Sequence, residues 1–167
     1  LLPDYGPIIL SGLERSPSLL KLLRGVAEGM DTDVAFVNRD IIPIFHSDQD
    51  PFYEAGIAAT WFVNPGFSFY HQVGDTADTI DYRMLREDVR FGVAAVRLVA
   101  NDAGRYEYLG SPPMDAQTAR DAKVILGGIL GSEVITDGER RRGAAMVAKL
   151  DQVIEACQRT KVMDNRS

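Results

Sequence analysis

Apolar residues fall into short runs and spaced stripes along the chain, and their alternation predicts an ordered series of strands and helices. Pro7-Ile8-Ile9-Leu10 is a β-prone run closed by Ser11-Gly12. Ser16-Pro17 then reads as a helix N-cap followed by proline at the first helical position, where a missing N–H costs nothing. Leu19, Leu20, Leu22, Leu23 and Val26 give that helix an apolar face, and Gly29 lies where it should stop. Val34-Ala35-Phe36-Val37 predicts a second strand. Ser47 to Gly56 carries the punctuation of a short helix: an Asp, an early Pro and a terminal Gly. Ile57-Ala58-Ala59-Thr60-Trp61-Phe62-Val63 lacks polar alternation and predicts a strand buried beneath helices on both faces.

Residues 64–80 read as a long polar and aromatic loop, after which Asp81 caps a helix. Leu85, Val89, Val93, Val96 and Val99 recur on it at spacings of three and four, so one buried stripe is expected. Gly104 to Pro113 has linker composition, Asp115 starts a helix ending near Gly131, and Thr136 with Glu139 has capping-box spacing for a last helix. On that helix Val147, Leu150, Ile154 and Cys157 share a face, which makes Cys157 a small buried hydrophobe. Alternating strands and helices predict an α/β fold. The expected organisation is a domain over 1–103, a linker over 104–114 and a helical extension over 115–167.

Composition narrows the function classes. A chain of 167 residues, 46% hydrophobic and 25% charged, suits one folded domain with an appendage. Its net charge of −6 offers no bulk positive field for a phosphate backbone, so nucleic acid is not an expected partner. Cys157 is the only cysteine, which excludes an intrachain disulfide and a thiolate zinc site. No apolar run reaches the roughly 18 residues of a membrane span. The start, Leu1-Leu2-Pro3-Asp4, has neither an initiating Met nor a basic leader, and the chain reads as an excerpt from something longer.

Chemistry-bearing groups concentrate in Phe69-Tyr70-His71-Gln72-Val73-Gly74-Asp75-Thr76-Ala77-Asp78, directly after the third predicted strand and its Asn64-Pro65-Gly66 turn. Ligand sites of open α/β sheets lie beyond strand carboxyl ends. A histidine there can give a neutral imidazole to a metal, and a neighbouring tyrosine can donate its hydroxyl hydrogen to a developing oxyanion. Phe67 and Phe69, beside Tyr70, are candidates for an apolar substrate pocket, whereas Trp61 and Phe62 lie inside the predicted strand and read as core. Arg140-Arg141-Arg142 reads as a solvated helix surface.

Ser47-Asp48-Gln49-Asp50-Pro51-Phe52, Ala55-Gly56-Ile57, Tyr70-His71-Gln72 and Asp75-Thr76-Ala77-Asp78-Thr79-Ile80-Asp81 follow one another in the order and approximate spacing of the C-terminal half of metallopeptidase family 28. The chain resembles these binuclear-zinc aminopeptidases clearly over about residues 43–100, more loosely over 7–42, and not beyond about 105. The resemblance implies a three-layer α/β/α zinc-exopeptidase fold, present here in part. It also implies two zinc ions per complete site, with a bridging water that hydrolyses a peptide substrate near its free N-terminus. His71 matches the family's last zinc ligand, and Tyr70 the catalytic tyrosine that, in some members, hydrogen-bonds the tetrahedral intermediate. Ser47 and Asp48 match a Ser-Asp-His element and Asp75 and Thr76 a following Asp-Thr, both read as bracing the site.

The departures from the family pattern decide what the chain can do alone. Gln49 stands where many members have histidine, although that position is not a metal ligand, and His46 does not substitute cleanly. An upstream His, a bridging Asp, a Glu-Glu pair and a further Asp ligand have no credible counterpart, the spacing of Asp4-Tyr5-Gly6 being wrong for the last. A catalytic zinc normally takes three protein ligands. The expectation is therefore a fragment of a zinc-dependent exopeptidase that is inactive alone. The alternatives are a non-catalytic peptidase-like scaffold for protein interaction and a glutaminyl-cyclase-like single-zinc enzyme. Self-association through an exposed sheet edge or the C-terminal helices is also expected, and the resemblance favours a secreted or periplasmic parent protein over a cytosolic one.

Overall fold

Two parallel strands joined by a helix form the centre of the molecule. The computed structural model describes residues 7–39, 47–64, 71–110, 115–131 and 135–164, with side chains through residue 159. Strand β1 (Ile8–Ser11) pairs with β2 (Val34–Val37) in parallel, from Ile8 against Val34 to Ser11 against Val37. Parallel neighbours need a crossover, and helix α1 (Pro17–Glu28) supplies it. Strand β3 (Trp61–Val63) runs antiparallel along the other side of β1, giving the order β2-β1-β3. Helices α2 (Asp50–Glu54), α3 (Tyr82–Asn101), α4 (Ala116–Gly131) and α5 (Asp137–Asp164) complete a mixed α/β architecture of five helices and three strands among the described residues.

Side chains alternate across β1 and β2, and each face has its own cover. Ile8, Leu10 and Phe36 pack with Leu19, Leu20 and Leu23 of α1 and Phe91 of α3. Ile9, Ala35 and Val37 pack on the opposite side with Ala119, Ala122, Ile125 and Leu126 of α4 and Leu150 of α5. Helices α4 and α5, in the segment expected as an extension, thus close one face of the sheet. Two contacts fasten α4 there. Arg24 of α1 grips Asp115 with both terminal nitrogens at 3.1 Å, and the Phe36 amide on the outer edge of β2 donates to Asp121 Oδ2 at 3.1 Å. That bond satisfies an N–H that an edge strand otherwise presents to other chains.

The helix starts follow the local signals. Asp81 accepts from the amides of Arg83 and Met84 at 2.8 and 3.0 Å, and Asp115 from those of Gln117 and Thr118 at 2.8 and 2.9 Å. Thr136 and Glu139 exchange bonds at 2.8 and 3.3 Å as a capping box. Each bond satisfies an amide that the first helical turn leaves without an intrahelical partner.

Three expectations change. The strand predicted over 57–63 shrinks to three residues at the sheet edge, and it is not buried on both faces: Ile57 is 52% and Phe62 39% exposed. With a strand neighbour on one side only among the described residues, its apolar run finds partial cover; Phe62 stacks on Phe91 with ring centroids 5.7 Å apart. On α3 the stripe expected to be buried points largely outward, with Leu85, Val89, Val93 and Val96 between 41% and 68% exposed. Phe91, fully buried on the opposite side, and the partly buried Ala95 and Val99 make the inward face instead. A helix that is apolar on two sides has no periodicity that chooses between them, and the bulkiest side chain takes the core. Cys157 is half-buried rather than buried.

Candidate functional site

Polar groups gather at the carboxyl ends of the two parallel strands, where α/β folds open toward ligands. After β1 the chain turns at Gly12 with φ +100°, and a Cβ there would meet the Ala59 carbonyl oxygen at 2.9 Å, so only glycine fits. The turn folds Glu14 inward until its side chain is buried. Tyr53 of α2 donates its hydroxyl to Glu14, and Arg15 Nε donates to the Tyr53 hydroxyl oxygen at 2.8 Å. Arg39, following β2, lies over the Tyr53 ring at 4.4 Å and pairs with Asp50 at 3.2 Å.

Residues 107–109 strap across this cluster. Tyr108 donates to the Tyr53 carbonyl at 2.7 Å, the Leu109 amide donates to the Arg15 carbonyl at 2.7 Å, and Glu107 accepts from the Ser18 amide in the first turn of α1 at 2.7 Å. A carboxylate at that end is favoured by the helix dipole, and the hydroxyl and amide of Ser18 hold the Glu107 carboxyl below the ordinary range. The cluster fixes α2, and with it the turn that carries Ser47 and Asp48, against the strand ends. Sequence reasoning did not single out Glu14, Arg15, Arg39 or Tyr53. The available signal was a pair of charges just after a strand-ending glycine, which alone does not distinguish a buried group from a solvated one.

The residues singled out by the sequence occupy two exposed turns. Ser47 and Asp48 precede α2, with the Ser47 carbonyl accepting from the Asp50 amide at 3.0 Å. His71 is exposed and has φ +58°, the one non-glycine residue with positive φ among those described. The Asp75 amide closes a turn on the Gln72 carbonyl at 3.1 Å, and Thr76 Oγ1 meets Asp78 Oδ1 at 2.5 Å, which holds the Asp78 carboxyl below its usual range. Thr79 returns to the Thr76 carbonyl through its amide at 3.0 Å and its hydroxyl at 2.7 Å.

Both ends of this loop are tied to α3. Tyr82 donates to the Ala77 carbonyl at 3.1 Å, and Asn64 Nδ2 donates to Asp88 Oδ2 at 3.3 Å. Burial of Asp88 pushes its carboxyl up, against the pull of the Asn64 bond. Tyr70, Phe67, Phe69, His46 and Asp4 lie outside the described residues. Among the described residues no three of His, Cys, Asp and Glu come together as a metal-ion site. No helix among them is long and apolar enough to cross a membrane.

Comparison with known proteins adds one finding. The model of peptidase family M28 matches residues 3–96, more than half of the chain, taking in the sheet, the Ser47-Asp48 turn, the His71 loop and most of α3. No curated protein and no solved structure matches the chain.

Proposed function

Because the chain belongs to peptidase family M28, we propose that it carries one part of a zinc-dependent exopeptidase centre acting on peptide bonds near a free N-terminus, with His71 as a zinc ligand. The observation that carries the reading is the backbone of His71. Positive φ on a non-glycine residue costs about 1 kcal/mol, and here it falls on an exposed imidazole in a loop tethered at both ends. A glycine would hold the same turn without strain, so stability alone does not account for histidine there.

In this reading Tyr70 assists the oxyanion and Phe67 and Phe69 line the substrate pocket. Ser47, Asp48, Asp75 and Thr76 brace the loops. Helices on both faces of the sheet support a three-layer zinc-exopeptidase arrangement. Residues 1–103 are then the C-terminal portion of that domain, 104–114 the linker and 115–167 the helical extension, whose α4 and α5 cover one sheet face. The described residues do not hold a hydrolytic zinc by themselves, since one imidazole falls short of the three protein ligands such a metal takes. On this reading the remaining ligands and the general base lie outside the described residues, in a longer protein, and the chain alone is inactive.

Zinc stoichiometry and hydrolysis of an aminoacyl anilide, measured on this chain and on the reading frame that contains it, test the proposal. Zinc and activity in the longer protein only, with most of both lost in His71→Ala, are expected. Near-normal metal content and rate in His71→Ala would overturn the assignment. The second reading is a peptidase-like scaffold for protein interaction, and absence of zinc from both proteins would select it.

A further inference from the structure

Strand β3 and helix α3 meet through two matched pairs. Alternation along the strand sends Phe62 and Asn64 to the α3 side, where Phe62 stacks on Phe91 and Asn64 Nδ2 donates to Asp88 Oδ2 at 3.3 Å. Phe91 and Asp88 are three residues apart and share one face of the helix. Two stacked rings tolerate sliding, whereas a hydrogen bond holds in one register only.

An aspartate is a costly member of such a pair. Asp88 is 8% exposed, and its Oδ1 has no hydrogen-bond partner among the described residues. Asp121, also pushed up by burial, uses both oxygens: Oδ2 accepts from the Phe36 amide and Oδ1 from Gln117. No charge compensates Asp88 in that way. Strands β1 and β3 are uncharged, and none of Lys21, Arg24 and Glu28 of α1, His71, Asp75 and Asp78 of the loop, or Asp102 beside Tyr106 acts on it. On α3 itself Arg83, Arg86, Arg90 and Arg97 lie on the opposite half of the helix, and Glu87 is held by Arg86 and Arg90. Among the described residues, burial and the Asn64 bond alone set the titration of Asp88.

Ionisation therefore puts a poorly solvated charge between a firm element and a weakly held one. Phe91 is fully buried and anchors α3, whereas Asn64 is half-buried and every residue from 71 to 80 is exposed. A local opening that detaches Asn64 hydrates the carboxylate and leaves the core intact. We propose that Asp88 is a positioning residue for His71: neutral, it tethers the His71 loop to α3 through Asn64, and on ionising it weakens that tether. The consequence for a metal rests on the zinc reading above; the tether itself does not. Burial holds the Asp88 carboxyl above the ordinary range, so the tether is at full strength below the unfolded value and is lost as pH rises through the folded one.

Amide hydrogen exchange of the chain, followed by mass spectrometry over residues 72–80, tests this. There the Asp75 and Thr79 amides bond the Gln72 and Thr76 carbonyls. Comparing each variant with the parent at the same pH cancels the intrinsic exchange chemistry. Asp88→Asn stays neutral and still offers Asn64 an acceptor. Near pH 7 its loop is expected to exchange about fivefold more slowly than the parent's, and near pH 4 to match it. Asn64→Ala removes the donor, and should speed exchange about fivefold near pH 4 and by less near pH 7. Thermal midpoints in the same solutions separate the tether from global stability. A variant-to-parent ratio that is the same at both pH values overturns the proposal, and so does a midpoint that shifts while loop exchange does not. No zinc enters these measurements, so their failure leaves the His71 assignment standing, and near-normal metal content in His71→Ala removes that assignment without touching the tether.

Discussion

Helices α3 and α4 each carry apolar residues at helical spacing and each begin with an aspartate cap, yet they end up in opposite situations. On α4 the apolar face is buried: Ala119, Ala122 and Ile125 are fully inaccessible against the sheet. On α3 the most regular stripe faces outward, and Phe91 with a few smaller residues makes the core contact. Periodicity announces that a helix has a face to cover. What covers it depends on the partner surfaces available, and α3 has more apolar surface than the sheet and α1 can take.

The contrast can be broken most directly by truncation. Ile125→Ala should cost about 3 kcal/mol through lost burial and a cavity, whereas Val93→Ala should change stability by less than about 0.5 kcal/mol, both read from urea unfolding midpoints. A large cost at Val93 would mean that the outer face of α3 is already covered. The caps should differ in the same direction. Asp115→Ala loses two amide bonds and a bidentate partner for Arg24, about 2 kcal/mol together, while Asp81→Ala loses only a cap, about 1 kcal/mol.

Two pH dependences of opposite sign sharpen it further. Burial pushes the Asp115 carboxyl up, but the Thr118 amide and Arg24 outweigh this and leave it below the ordinary range. Its contribution is present above the unfolded value, near 3.9, and is lost as pH falls through the folded one, so the deficit of Asp115→Ala should shrink in acid. Asp88, on α3, is raised by burial, so its contribution is present below the unfolded value and lost as pH rises through the folded one. Asp88→Asn should therefore raise the thermal midpoint at neutral pH and give no gain near pH 3. The smallest effect concerns the site itself. His71→Gly should stabilise the chain by up to about 1 kcal/mol by relieving the positive φ, and a loss of stability would remove the strain argument for a functional histidine.

The family pattern was legible where it is local. Ser47, Asp48, His71, Asp75 and Thr76 stand out because a few adjacent residues carry the family pattern, and the family match includes them all. The buried cluster around Tyr53 was not legible. Its members sit 38 and 39 residues apart along the chain, and only the turn at Gly12 and the docking of α2 bring Arg15 and Glu14 to one phenol. Similarly, Arg24 and Asp115 meet across 91 residues, joining a helix in the matched region to one beyond it.

Local rules and distant contacts therefore divided the outcome. The sequence by itself determined the helix starts and stops, the places of β1 and β2, the acidic balance and the peptidase-family pattern, because a cap, a breaker or a motif acts through neighbours within about four residues. Tertiary structure alone decided which side of α3 is buried, that α4 and α5 close one face of the sheet, and that Glu14, Tyr53, Arg15 and Arg39 form one cluster. Those outcomes depend on competition for a limited area of sheet. That competition is settled by which side chains fill the space at close packing, and no local pattern encodes it.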